Sequence, residues 1–229
     1  MIIVRPANTR GHADYGWLKT WHSFSFADYY DPAEMGWGAL RVINEDIVAP
    51  GQGFPMHGHR DMEIVTVILS GALEHRDSMG NGEVIRPGEI QRMSAGTGVR
   101  HSEFNPSPNE STHLLQIWLQ PANAGRTPGY EQLVVETRPG FVCLASPDGR
   151  EGSATIGQDA TLQRGRLAAG ERAVTAVAPD RHGYVHVIDG ALSVNGVALS
   201  RGDGAKLRGE TQLEFVADTD ADFLLFDTP

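Results

Sequence analysis

Short apolar runs cut by turn signals recur along most of this chain, and that punctuation limits what it can fold into. The turns include Pro50-Gly51, Ser70-Gly71, Asn81-Gly82, Pro87-Gly88, Asp148-Gly149, Asp189-Gly190, Asn195-Gly196 and Gly202-Asp203. Asn-Gly and Asp-Gly accept the positive φ of tight hairpin turns, so they join antiparallel strands. The runs between the turns are β-branched or alternating: Leu40–Val48, Glu63–Leu69, His113–Leu119, Phe141–Ala145, Arg172–Val177, Tyr184–Ile188, Ala191–Val194, Thr211–Val216 and Phe223–Phe226. No stretch sustains a helical apolar period over the length of an ordinary helix. The expectation is an all-β protein of sandwich or barrel type.

The pattern also divides. Between residues 120 and 140 lie Pro121, Gly125, Pro128, Gly129, Pro139 and Gly140, a concentration of breakers expected at a domain boundary. The two sides echo one another. Val67-Ile-Leu-Ser-Gly-Ala-Leu-Glu is answered by Val187-Ile-Asp-Gly-Ala-Leu-Ser-Val, and each run then reaches an Asn-Gly turn. A duplicated barrel unit would account for this. Ahead of both, residues 1–38 are rich in aromatics (Trp17, Trp21, Phe24, Phe26, Tyr29, Tyr30, Trp37), read as packing and lid residues. Phe24 and Phe26 alternate with Ser23 and Ser25, which predicts a short strand ended by Asp31-Pro32.

Bulk properties exclude several functions. The 229 residues carry a formal net charge of -10, the wrong sign for gripping nucleic-acid phosphates. Cys143 is the single cysteine, so no internal disulfide is possible; it sits in an apolar run and reads as a packing residue. No apolar run is long enough for a membrane span, and the N-terminus lacks the apolar core of a signal peptide. A cytoplasmic, monomeric protein is expected, with a protein partner left open.

The chemistry-bearing stretch is Gly51-Gln-Gly-Phe-Pro-Met-His57-Gly-His59-Arg-Asp-Met-Glu63, followed later by His101-Ser-Glu103. On a strand, residues i and i+2 share a face, so His57 and His59 can aim together, as can His101 and Glu103. Three imidazoles and a carboxylate form a nitrogen and oxygen donor set suited to iron, copper, nickel, manganese or zinc. Glu63 competes for the carboxylate position but lies four residues beyond His59, roughly 13 Å along a straight strand. Spacing favours Glu103 slightly and leaves Glu63 as a group that could orient a ligand histidine. The other histidines read more plainly: His12 and His22 as packing or capping groups, His75 and His113 as satisfied strand residues. His182 and His186 have no carboxylate pair beside them and are expected to bind no metal.

Gly51-x5-His57-x-His59-x3-Glu63-x7-Gly71 and Gly88-x5-Ser94-x-Gly96-x4-His101 resemble the two cupin motifs, the second lengthened by two residues and with Ser94 in place of the usual proline. More closely, His57-Gly-His59-Arg-Asp-Met-Glu63, Glu74-His-Arg-Asp-Ser-Met-Gly-Asn81, Met93-Ser-Ala-Gly-Thr-Gly-Val-Arg-His-Ser-Glu103 and Trp21-His-Ser-Phe-Ser-Phe-Ala-Asp-Tyr-Tyr-Asp-Pro32 resemble the pirin family, most of all the short bacterial pirins similar to quercetin 2,3-dioxygenase. The resemblance is dense over the first 130 residues.

It implies a bicupin, two double-stranded β-helix (jelly-roll) barrels packed face to face. Residues 1–130 would be a metal-binding cupin domain and residues 131–229 a cupin-like domain without metal. The implied ligands are His57, His59, His101 and Glu103. The metal would be a divalent transition ion, iron(II) by family habit, with copper, nickel, manganese, cobalt and zinc as alternatives. Two functions then stand side by side. One is a dioxygenase cleaving a flavonol such as quercetin with O2 and releasing carbon monoxide, with Glu103 as the catalytic base. The other is a metal-containing redox-sensing or regulatory binding module with flavonol cleavage as a side activity.

Overall fold

The computed structural model describes residues 1–229, nearly all of them in antiparallel strands and the turns between them. The only helical segments are the single 3-10 turns Ala7–Thr9 and Arg150–Gly152. No helix is long and apolar enough to cross a membrane.

The strands make two barrels of matching topology, each a seven-stranded sheet opposed to a four-stranded one. In the first barrel the large sheet runs Gly129–Val134, Glu89–Ser94, Glu63–Ser70, Thr112–Leu119, Leu40–Val48, Leu18–His22, Gly11–Asp14. In the second it runs Ile2–Arg5, Gly204–Leu207, His182–Asp189, Ala221–Thr228, Thr161–Leu167, Gly140–Ser146, Ala154–Thr155. The echoed segments 67–74 and 187–194 start in equivalent strands of the two barrels, so the repeat seen in sequence is a repeat in space. This is the expected bicupin.

The halves interlock at their edges. Ile2–Arg5 crosses to the second barrel and pairs with Gly204–Leu207, while Gly129–Val134 adds an edge strand to the first along Glu89–Ser94. That second strand lies inside the breaker-rich stretch and runs across residue 130. Its Gly129 and the nearby Pro128 sit at its start, where breakers are compatible with an edge strand. The Phe24–Phe26 strand is also displaced. The strand is Leu18–His22, and the chain then bends, with Ala27 at φ 48 between the bridged Phe26 and Tyr29. Ser23, Phe24 and Ser25 are all buried, so the alternation there does not divide core from solvent.

The largest apolar cluster belongs to neither barrel alone. Ile43, Val65, Val67, Leu115 and Ile117 from the first large sheet meet Leu144, Leu162, Tyr184, Leu224 and Phe226 from the second. This face-to-face contact welds the barrels. The interiors then differ. The second barrel is filled by apolar side chains, including Phe215 and Phe223 with ring centroids 4.9 Å apart and Phe141 against both. The first keeps small apolar clusters at its ends and buries polar groups between them: Asn44, Asp46, Thr66, His75, Gln91, His101 and Glu103. The alternating inward positions Val99, His101 and Glu103 in one barrel correspond to Leu213, Phe215 and Ala217 in the other.

Because the shared cluster spans both barrels, truncating it on one side should destabilise the other. With Trp37, which donates to the Gly183 carbonyl of the second barrel, replaced by Phe, the remaining tryptophans (Trp17, Trp21, Trp118) all lie in the first. Phe226→Ala, in the second, is expected to cost about 3–5 kcal/mol and to lower the urea midpoint read by tryptophan fluorescence. An unchanged tryptophan-monitored midpoint would mean the barrels unfold independently.

Candidate metal centre

Strand pairing gathers the three histidines. Gly53–His59 and Val99–Phe104 run antiparallel with His57 directly opposite His101 and His59 opposite Val99. Directly opposed residues on one face bring their Cβ atoms within about 5 Å. His59 joins from two positions along, and the three ring centroids lie 4.4–4.8 Å apart. His57 and His101 approach to 3.1 Å through their Nε2 atoms.

A β-bulge adjusts the pairing. Between His101 and Glu103 there is one residue, whereas Pro55 and Met56 both intervene between their partners His57 and Phe54. Proline suits such a place because it has no ladder N–H to lose. The bulge also turns the Pro55 carbonyl towards His57, whose Nδ1–H donates to it at 2.8 Å. With the proton on Nδ1, the lone pair of Nε2 points into the cavity. Glycine is required at the start of the same strand: a Cβ at Gly53 would stand 2.1 Å from the Glu103 carbonyl oxygen.

The rings suit a cation. Burial, and then the neighbouring His57, hold His59 down to about 4; burial with His57 and His59 holds His101 down to about 2. Both are therefore neutral near pH 7, the form a metal takes. Two nitrogens on one ion at about 2.1 Å, disposed at right angles, lie about 3.0 Å apart, which matches the His57–His101 separation. The donor set and its geometry fit a divalent transition metal held by His57, His59 and His101.

Glu103 lines the same cavity but is drawn back. Its carboxylate accepts from Gln116 Nε2 at 3.0 and 3.2 Å, and one oxygen stands 4.0 Å from His101 Nδ1. Thr66 Oγ1 lies 2.9 Å from both Gln116 Oε1 and Gln91 Oε1 and can donate its single proton to either. Burial pushes Glu103 up to about 7, against the Gln116 hydrogen bonds and with help from Asp46. His101 and Glu103 also approach His75 deeper in the barrel. The cavity holds about 370 Å³ of space, counting its open mouth, and its walls include Phe26, Phe54, Ile64 and Trp118. Trp118 meets His59 edge-on at 4.9 Å, and Phe26 meets Trp118 at 5.2 Å.

Glu63 is elsewhere. The chain turns at Arg60–Met62, with Asp61 at φ 48, so its parity with His59 is not carried into the next strand. Glu63, Val65 and Val67 face the second barrel, and Glu63 accepts from Ser94 Oγ at 2.6 Å. It orients none of the three histidines.

Gln116, Asn44 and Asp46 were not singled out as site residues by sequence reasoning. The available signal was a polar side chain at an inward position of an otherwise apolar strand, as in Leu114, Gln116, Trp118 and in Val42, Asn44, Asp46, Val48.

Comparison with known proteins agrees with this architecture. The Pirin family model matches residues 3–119, and the model for the quercetinase C-terminal cupin domain matches residues 143–228. Quercetin 2,3-dioxygenase of Escherichia coli K12 is 50% identical over 229 residues, covering 100% of this chain and 99% of its own. A pirin-like protein of Caulobacter vibrioides is 44% identical, covering 99% of both chains. The crystal structure of the Escherichia coli bacterial pirin YhhW in complex with nickel(II) superposes with a TM-score of 0.97 at 49% identity, covering 100% of this chain and 99% of that one.

Fold and site together define a bicupin with one polar, histidine-bearing barrel. The chain belongs to the pirin family.

Burial also pushes Asp46 up to about 7, with the neighbouring Glu45 charge adding to it. An unfolded aspartate ionises near 4, so the folded chain binds this proton more tightly. The resulting penalty is absent below about pH 4 and complete above about pH 7. Asp46→Asn is expected to raise the urea midpoint of the metal-free protein more at pH 8 than at pH 4. Equal effects at both pH values would show that Asp46 ionises as freely as in the unfolded chain.

Proposed function

We propose that this protein is a metal-dependent dioxygenase that cleaves a flavonol such as quercetin with O2, releasing carbon monoxide. The observation that carries the reading is the convergence of three imidazoles beside a buried carboxyl group in a cavity with aromatic walls. Relatives named quercetin 2,3-dioxygenase and the nickel(II) complex of a pirin half identical to this chain support it.

His57, His59, His101 and Glu103 would hold the metal, iron(II) or another divalent ion. When bound, it supplies Lewis acidity to the flavonol oxygens and brings substrate and O2 together. The protein's own part is binding and proton transfer. Phe26, Phe54 and Trp118 offer flat apolar surface to a planar polyphenol. Glu103, with its pKa raised to about 7, suits a base that accepts the 3-hydroxyl proton near neutral pH. Gln116 holds that carboxylate from one side, leaving its other lone pairs free.

The test is anaerobic loading with iron(II), followed by quercetin and oxygen, with carbon monoxide measured. The full-length protein should release it, and Glu103→Gln should lower kcat by about 10²–10⁴. Absence of ring cleavage at full metal occupancy would contradict the enzyme reading. Activity surviving in His57→Ala would contradict the site.

A further inference from the structure

The segment Glu74-His-Arg-Asp-Ser-Met-Gly-Asn81 has no part in the site described so far, yet it reaches it. His75 is fully buried on Leu73–Asp77, the strand that flanks Val99–Phe104 on the side away from His57. Its Nε2 lies 3.2 Å from Asp77 Oδ2, and its Nδ1 lies 3.4 Å from His101 Nδ1.

Proton positions along this line follow from the partners. Asp77 Oδ1 accepts from the backbone N–H groups of Met79 and Asn81 at 2.9 and 3.0 Å, and Oδ2 accepts from Asn81 Nδ2 at 2.8 Å. A carboxylate occupied on both oxygens by donors is an acceptor, so the proton between it and His75 sits on His75 Nε2. Neutral imidazole has a single N–H, which leaves a lone pair on His75 Nδ1. The close contact with His101 therefore requires the proton on His101 Nδ1. His101 Nε2 is then a lone pair directed towards His57 Nε2, 3.1 Å away, and so is available to a cation at that point.

We propose that Asp77 and His75 form a hydrogen-bonded relay that fixes the tautomer and direction of His101, making His75 a positioning residue for the metal ligand. The hairpin tip Ser78–Asn81 anchors the outer end through Asp77, and Tyr130 stacks on His75 with ring centroids 4.8 Å apart. Outer partners of this kind typically change metal affinity by about 10–100-fold when lost. His75 could in principle act as a ligand in its own right, since it also approaches Glu103. Its Nε2 is engaged with Asp77 and its Nδ1 with His101, so neither nitrogen is free for an ion.

This inference rests on His101 being a metal ligand, but its first test does not. In the full-length, metal-free protein labelled with 15N-histidine, long-range 1H–15N correlation should show protonated Nδ1 on His101 and protonated Nε2 on His75. The opposite tautomer on His101 would overturn the relay even in a protein that binds metal normally. Failure of the wild type to bind metal would instead overturn the site and leave the tautomer result standing. In a second test, nickel(II) titration of His75→Leu should show a dissociation constant raised about 10–100-fold with one ion still bound at saturation. His75→Asn, which can place Oδ1 near the position of Nδ1, should recover most of the affinity. Unchanged affinity in His75→Leu would contradict the proposal. Complete loss of the ion in a folded His75→Leu, matching His101→Ala, would make His75 a ligand instead.

Discussion

The site depends on one cross-strand pair. His57 and His101 stand opposite each other on two antiparallel strands, and everything else at the centre is arranged around that register. A slip of one residue would turn one imidazole to the other face and part the pair. The bulge at Pro55 and Met56 absorbs the extra residue between His57 and Phe54, and its carbonyl orients the His57 ring. Gly53 allows the strands to approach closely where a side chain would collide with the Glu103 carbonyl.

The two barrels show what the same topology does with different fillings. In the second, phenylalanines and aliphatic residues occupy the interior. In the first, the equivalent space holds imidazoles, carboxyl groups and amides, which are costly to bury without partners. Gln116 and Thr66 meet part of that cost by hydrogen bonding. The shared apolar face, with Ile117 on one side and Phe226 on the other, gives the polar barrel a rigid wall on which to hold them. The second barrel thus supports the histidine-bearing one, and the exchanged edge strands Ile2–Arg5 and Gly129–Val134 tie the halves together.

Much of this was legible in the sequence because turns and alternation are local. Asn81-Gly82, Asp189-Gly190 and Asn195-Gly196 mark real reversals, and the i,i+2 spacing of His57 and His59 places both rings at one centre. Non-local relations were harder to read. The fate of Ile2–Arg5 and Gly129–Val134 depends on which distant edge is open. Glu63 could not be placed without knowing that the chain reverses at Asp61. His75 looked like an ordinary strand histidine because its partner, His101, is brought beside it only by strand pairing. Gln116 and Asp46 fall in apolar runs, where their inward parity becomes informative once a polar interior is known to exist.

We infer that one barrel holds a single divalent metal through His57, His59, His101 and Glu103, and that the other holds none. Metal analysis of the full-length protein purified without chelators, alongside His57→Ala and His101→Ala, tests it most directly. One ion per chain is expected in the wild type, with loss of that ion in both variants. Two ions per chain, or an ion retained in folded His101→Ala, would contradict it.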